Sequence, residues 1–143
     1  MNKVLFSQGS DDWQTPTAIY NYFVKVHGYK DLFPFKSKID QFNIDYKNEL
    51  LFCNPPFSKI NKVVDYLKRQ YDNNCNMWVL VPARTDTKWF HELLKMHPDV
   101  FFIKGRLKYN DKGSAPFPSV LLHINKSLSN KWHMLDFKLM GWY

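Results

Sequence analysis

The chain has 143 residues, 45% of them hydrophobic, which is enough for one domain with a real core and leaves little room for a second. No apolar span is long enough for a membrane helix and no charged-then-apolar leader is seen, so we expect a cytoplasmic protein rather than a membrane or secreted one. The 20 Lys and Arg against 13 Asp and Glu give a net charge of +7, which favours a polyanionic partner.

The cysteines and histidines do not indicate a metal site. Cys53 and Cys75 lie in or beside apolar segments without metal-ligand spacing, so we expect both to be reduced core residues. The five histidines are scattered and form no metal motif, so no metal is predicted.

The first predicted helix begins at Thr15-Pro16, with Thr15 as N-cap and Pro16 at the first helical position. The apolar residues Ile19, Phe23 and Val26 follow at helical spacing, and Gly28 offers the stop. The apolar-rich segment 29–35 predicts a strand that ends at Pro34.

Later segments alternate between strand and helix patterns. Ser58 is the predicted cap of one helix, and Asp86 is the predicted cap of another. The first of these helices has apolar positions at helical spacing: Ile60, Val63, Val64, Leu67 and Tyr71. Strands are predicted at 50–53, 77–81, 100–103, 120–124 and 134–139, with a polar loop at 108–118. This alternation predicts an α/β fold with a mostly parallel sheet and helices on both faces. Ligands of such sheets collect at the carboxyl ends of the strands.

The sequence Asn54-Pro55-Pro56-Phe57 directly follows the predicted strand 50–53. Two prolines cannot continue a sheet ladder, so the strand must end there in a stiff, extended turn. The turn groups an amide side chain, proline carbonyls and an aromatic ring. Such a group can accept hydrogen bonds from an exocyclic amine while the ring stacks on the base that carries it. A proline-stiffened loop with a core phenylalanine is the alternative.

Several further segments accompany this turn, at 11–16, 81–91, 102–109 and 114–119. Together and in this order they resemble the small phage-type DNA N6-adenine methyltransferases, the phage Dam-like family. The Asn-Pro-Pro-Phe turn resembles the Asp/Asn-Pro-Pro-aromatic signature of amino methyltransferases that act on DNA. The resemblance covers about residues 6–124, which is most of the chain.

The resemblance implies a compact Rossmann-like fold that uses S-adenosylmethionine to methylate adenine N6 in double-stranded DNA. It also implies a phage-encoded protein that works in the cytoplasm of a bacterial host. The catalytic turn is then Asn54, Pro55, Pro56 and Phe57. The Asn54 side-chain oxygen and the Pro55 carbonyl would accept from the target amine, and Phe57 would stack on the flipped-out base.

Cofactor contacts are implied at two places before this turn. The family has a Trp-x-Thr-Pro element that helps to hold the methionine end of the cofactor, which here is Trp13, Thr15 and Pro16. An ordinary N-cap with a core tryptophan is the alternative. Asp31 keeps an acid that could pair with the cofactor's ammonium group, beside Phe33 in a partly matching segment.

Asp40 matches a family acid that could accept from the adenine amine of the cofactor, or it is a solvent-exposed acid. The residues between Asp31 and Asp40 contain no separate acid for the ribose hydroxyls.

Two basic groups are candidates for DNA contacts. Arg84 and Lys88 follow the predicted strand 77–81, where a solvated helix start is the alternative. Lys104, Arg106 and Lys108 form a basic run that suits phosphate contacts, although these residues could also solvate an edge strand.

Two rival functions stay open. The departures around residues 31–40 favour a catalytically weak relative that only binds DNA. The Asn-Pro-Pro-aromatic turn tolerates any amino nitrogen, so cytosine N4 or an RNA base is a second possibility.

Overall fold

The computed structural model describes residues 13–111, 113–127 and 130–136. These residues form a mixed α/β fold with one six-stranded sheet in the order β1-β2-β3-β5-β4-β6. The strands are β1 Lys30–Asp31, β2 Leu50–Cys53, β3 Asn76–Pro82, β4 Asp99–Ile103, β5 Ser119–Ile124 and β6 Trp132–Leu135. The α-helices are α1 Thr17–Tyr20, α2 Ile60–Asp72 and α3 Lys88–Leu94, and a π-helix, Asn21–Val26, continues α1.

The sheet is less parallel than predicted. β1, β2 and β3 pair in parallel, as do β4 and β6, but β5 lies antiparallel between β3 and β4. The connection from β3 through α3 therefore does not lead to the strand next to β3. It leads to β4, one position further along the sheet, and the loop 104–118 then connects β4 to β5, which lies between β3 and β4. That loop begins where β4 ends, so it lies at the same edge of the sheet as the ends of β2 and β3.

The helices cover both faces of the sheet, as predicted. Alternate residues of each central strand point to opposite sides, so β3 places Met77 and Val79 in one buried cluster and Leu80 in another. The first cluster contains the apolar faces of α2 and α3. The second contains Ile19 and Phe23 from α1 and the π-helix, together with apolar residues of the loop 104–118.

The start of the first helix differs from the prediction. Pro16, not Thr15, is the N-cap, with an extended backbone at φ −52° and ψ 138°. After one α-turn the chain widens into the π-helix, and this shift leaves Val26 71% exposed although the helical spacing predicted it to be buried. Gly28 follows at φ +72°, as expected of a helix stop.

Both later helix caps were wrongly predicted. The chain first makes a 3₁₀ turn, Phe57–Lys59, so Ser58 lies inside that turn and Lys59 is the N-cap of α2. Thr87 rather than Asp86 caps α3, because its hydroxyl accepts from the Phe90 N–H at 3.3 Å.

The predicted strand 29–35 is reduced to β1, and its pairing ends after the Leu32 N–H donates to the Phe52 carbonyl at 2.9 Å. β6 begins two residues before the predicted strand 134–139, whose last three residues fall outside the described ranges. Cys53 and Cys75 are buried free thiols, as predicted. None of the helices described here is long and apolar enough to cross a membrane.

Candidate active site

A large cavity opens at the carboxyl ends of β1 and β2. Its volume is about 890 Å³, and its walls come from the segment 13–25, the segment 31–42 and the turn after β2. Seven of the predicted site residues line it: Trp13, Thr15, Asp31, Phe33, Asp40, Pro55 and Pro56. Asn54 lies among them. The sheet edge thus gathers residues that are up to about forty positions apart in sequence.

The Asn54 amide is held in one orientation. Its Nδ2 donates to the Trp13 carbonyl at 2.7 Å and to the Thr15 hydroxyl at 3.0 Å. A carbonyl oxygen can only accept, so the amide nitrogen must face Trp13 and the amide oxygen must point away. Oδ1 is buried and has no hydrogen-bond partner among the described residues. Because an unpaired buried acceptor costs free energy, this oxygen marks a place where a donor on a ligand would be stabilised.

The two prolines after Asn54 have different roles in the turn. The Pro56 backbone is extended at φ −67° and ψ 115°, and its carbonyl accepts from the Lys59 N–H at 3.0 Å. That bond closes the 3₁₀ turn, so Pro55 is the proline whose carbonyl is the better candidate for a ligand contact. Both prolines line the cavity.

The Phe57 ring does not line the cavity. It is 4% exposed and lies edge-to-face against Phe117, with ring centroids 6.0 Å apart. Stacking of Phe57 on a target base stays a prediction.

Asp31 lies at the end of β1, on the wall of the cavity. Burial raises the pKa of its carboxyl from 3.8 to about 6, partly opposed by the Phe33 N–H that donates to Oδ1 at 3.3 Å. The neighbouring Cys53 thiol is buried, and burial with the nearby Asp31 charge raises the pKa of Cys53 well above its usual value. Asp31 is therefore a destabilised carboxylate, which a cationic ligand group would stabilise.

Asp40 is exposed and its carboxylate already serves the local backbone. One oxygen accepts from the Phe42 N–H at 3.2 Å and the other from the Asn43 side chain at 2.8 Å. These bonds cap the 3₁₀ turn Gln41–Asn43. Asp40 does line the cavity. Its contact with the adenine of the cofactor stays a prediction.

Gln41, next to Asp40, is a site residue that the sequence did not reveal. Its buried amide donates to the hydroxyls of Tyr46 at 2.9 Å and Tyr66 at 3.0 Å. Tyr66 in turn donates to the Ile44 carbonyl at 2.6 Å. This network fixes the wall formed by residues 40–46 against α2. A polar residue that is held on α2 by Tyr66, 25 positions away, carries no recognisable local signal.

The predicted DNA contacts lie outside the cavity. Arg84 follows β3 and Lys88 begins α3, and neither lines the cavity walls. Lys104, Arg106 and Lys108 are exposed on the loop after β4. The Lys104 ammonium lies 3.6 Å from a carboxylate oxygen of Asp136, an acid that is distant in sequence. The sheet brings the two residues together because β4 and β6 pair in parallel.

The cavity itself contains more basic residues than the sequence predicted. Its lining includes five exposed lysines: Lys25, Lys36, Lys38, Lys59 and Lys62. Lys62 lies 4.4 Å from the centroid of the Phe42 ring. Lys59 and Lys62 are three positions apart at the start of α2, a spacing that places both on one side of a helix and that could have indicated them.

The described residues thus form an α/β protein with a cavity at the strand ends, and within them the fixed Asn54 amide of the cavity wall has no partner for its oxygen. A family model described as DNA N-6-adenine-methyltransferase (Dam) matches residues 4–134. The chain belongs to this family, and membership supports DNA adenine methyltransferase activity in general. A search of the curated proteins finds no match.

The raised pKa of Asp31 predicts a pH-dependent stability. Between about pH 4 and pH 6 the unfolded chain has lost this proton while the native chain keeps it, so stability falls as pH rises. Asp31→Asn removes this effect. Its free energy of unfolding relative to wild type should therefore rise from pH 4 to pH 7 by at most about 3 kcal/mol.

Urea denaturation at both pH values measures the difference. Asp86→Asn, at an exposed aspartate away from the cavity, is the control and should show no such change. An Asp31→Asn difference that is the same at both pH values would contradict the assigned burial effect.

Proposed function

We propose that this chain transfers the methyl group of S-adenosylmethionine to N6 of adenine in DNA, on a Rossmann-like methyltransferase fold. The observation that carries the proposal is the buried oxygen of Asn54, a residue of the cavity wall, which has no hydrogen-bond partner in the described part of the chain. Membership of the family supports adenine as the target base and DNA as the substrate.

The Asn54 oxygen suits the chemistry of an exocyclic amine. The lone pair of adenine N6 is delocalised into the ring, so the nitrogen is a poor nucleophile. Acceptors aimed at its two N–H groups favour a pyramidal nitrogen and stabilise the positive charge that develops as the new bond forms. Asn54 Oδ1 supplies one acceptor and the Pro55 carbonyl the second. Because Trp13 and Thr15 hold the amide beforehand, no reorganisation is needed during the reaction.

The cavity residues fit S-adenosylmethionine, which when bound supplies an activated methyl group on a sulfonium. Asp31 offers a carboxylate for the ammonium group and is destabilised without a cation beside it. Phe33 and Phe42, whose rings lie 5.5 Å apart, offer an apolar surface for a purine together with the 65% exposed Ile39. Among the described residues that line the cavity, only Asp31 and Asp40 are acidic. Ribose hydroxyls therefore have few carboxylate partners.

Flipping of the adenine out of the duplex is part of the proposal. A base inside a double helix cannot reach a cavity at a sheet edge, so the target must leave its stack. Phe57 remains the proposed stacking partner from the turn motif. Since its ring lies against Phe117, a base reaches it only if these two rings separate.

The five lysines of the cavity support an anionic partner. None of them forms an ion pair with a carboxylate within residues 13–111, 113–127 and 130–136. Unpaired cations around a cleft attract phosphates and raise the association rate. We therefore propose that Lys59 and Lys62 hold phosphates beside the target nucleotide, in addition to the predicted contacts of Arg84, Lys88, Lys104, Arg106 and Lys108.

We also propose that the protein is phage-encoded, acts in the cytoplasm of a bacterial host and takes double-stranded DNA. These points follow from the resemblance of the motifs alone.

The methyl acceptor can be identified directly. DNA is incubated with the protein and S-adenosylmethionine carrying a labelled methyl group, then digested to nucleosides that are separated. Label in N6-methyldeoxyadenosine is the expected result, and Asn54→Ala should lower its rate of formation by on the order of a hundred- to thousandfold. Label in N4-methyldeoxycytidine would identify cytosine rather than adenine as the target base. Label that is found only when RNA replaces DNA in the incubation would identify RNA as the substrate. Binding of DNA without any binding of cofactor in calorimetry would favour the catalytically weak relative.

The lysine contacts predict a change in salt dependence. Lys59→Ala combined with Lys62→Ala should lower affinity about equally on all DNA sequences and flatten the slope of log affinity against log salt by about 0.9 per lost contact. Fluorescence anisotropy over a salt series measures this. Lys47→Ala with Lys131→Ala removes two exposed lysines outside the cavity and should leave the slope unchanged. Equal slopes in all three proteins would show that Lys59 and Lys62 do not contact DNA phosphates.

A further inference from the structure

The loop 104–118 reaches back to the segment that orients Asn54. Asn110 donates its backbone N–H to the Gln14 carbonyl at 3.0 Å, and its side-chain oxygen accepts from the Gln14 N–H. Gln14 is thus bonded through both of its backbone groups to one residue, 96 positions away in sequence.

The residues on either side of Gln14 are the two that hold the Asn54 amide. The Trp13 carbonyl and the Thr15 hydroxyl both accept from Asn54 Nδ2. Gln14 itself makes no described contact with Asn54. The position of both acceptors therefore depends on where the backbone at Gln14 lies, and Asn110 fixes that backbone.

The packing of Trp13 strengthens the same attachment. Its ring lies edge-to-face against Tyr109 at 5.8 Å and against Phe117 at 5.3 Å, both from the loop 104–118. Tyr109 is itself buried and shares a hydrogen bond with Ser119 at 2.9 Å, at the start of β5. The loop is thus anchored to the start of β5 through Tyr109. It is attached to the segment 13–14 through Tyr109, Asn110 and Phe117.

Asn110 is suited to this double bond by its backbone. Its φ of 60° lies in the left-handed region, which asparagine adopts far more readily than most residues. In this conformation its backbone N–H and its side-chain oxygen both reach Gln14. An alanine would lose the acceptor and strain the backbone, whereas a glycine would lose only the acceptor.

We infer that Asn110 is a positioning residue for methyl transfer, acting through Gln14, Trp13 and Thr15 on the Asn54 amide. The inference rests on the proposed function for its link to catalysis, but the effect on the Asn54 amide is independent of it. Asn110 touches neither the target base nor the cofactor in this role. Its loss should lower the rate of the chemical step without weakening the binding of DNA.

Asn110→Gly is the test variant, because it keeps the left-handed backbone and removes the acceptor. Losing one neutral hydrogen bond corresponds to about a three- to tenfold fall in kcat, with KM for DNA within about twofold of wild type. Asn110→Asp keeps an acceptor oxygen and should restore kcat. Asn74→Gly is a matched control: Asn74 also has a left-handed backbone (φ 62°) and bonds a distant side chain, Asn48, away from the cavity.

A second readout does not need activity. The Asn54 side-chain NH₂ signal in a ¹⁵N NMR spectrum is identified by its loss in Asn54→Ala. Both its protons are donated in partly buried hydrogen bonds. They should therefore exchange more slowly with water in wild type than in Asn110→Gly, and at the wild-type rate in Asn74→Gly.

Unchanged exchange of this signal in Asn110→Gly would overturn the inference, as would a fall in kcat no larger than that of Asn74→Gly. If the wild type methylates no DNA, the proposed function fails. The exchange comparison then still decides whether Asn110 positions Asn54.

Discussion

The hydrogen bond from the Asn54 amide nitrogen to the Trp13 carbonyl is the constraint on which the site depends. Because that carbonyl cannot donate, the bond allows only one orientation of the amide, and the Thr15 hydroxyl reinforces it. Among the residues that the structure describes, the buried amide oxygen has no hydrogen-bond partner. In water an amide would turn freely, whereas here its orientation is fixed in advance. In the proposed reaction such a preorganised acceptor would stabilise the charge that develops on the target nitrogen.

The fold supplies this constraint from three places in the chain. β2 lies between two parallel neighbours, so Asn54 follows a strand whose end is fixed on both sides. α1 and the π-helix pack Ile19 and Phe23 on the sheet and so bring the preceding segment 13–15 to the end of β2. The antiparallel β5 directs the loop 104–118 to the same edge, where its aromatic residues enclose Trp13.

The sequence predicted the parts of the fold that have a strong local signal. The apolar run at β2 and the amphipathic pattern of α2 both lie where expected, and Asn54 at the end of β2 was identified from the prolines that follow it. The antiparallel position of β5 could not be predicted, because strand order depends on packing between distant segments rather than on any one pattern. Thr15 shows the same limit: its local sequence reads as a helix cap, but its hydroxyl bonds a side chain 39 positions away. The spacing of Lys59 and Lys62 was visible in the sequence, but not that Lys25, Lys36 and Lys38 lie at the same cavity.

The most direct test of the account is the single-turnover rate of methyl transfer in Thr15→Val, at saturating DNA and cofactor. Valine keeps the shape of threonine and removes one of the two acceptors that orient the Asn54 amide. The account predicts a rate about tenfold lower, since roughly one hydrogen bond is lost, and recovery in Thr15→Ser, which keeps the hydroxyl. Methyl transfer at the wild-type rate in Thr15→Val would contradict the claim that a fixed Asn54 amide is the basis of this site.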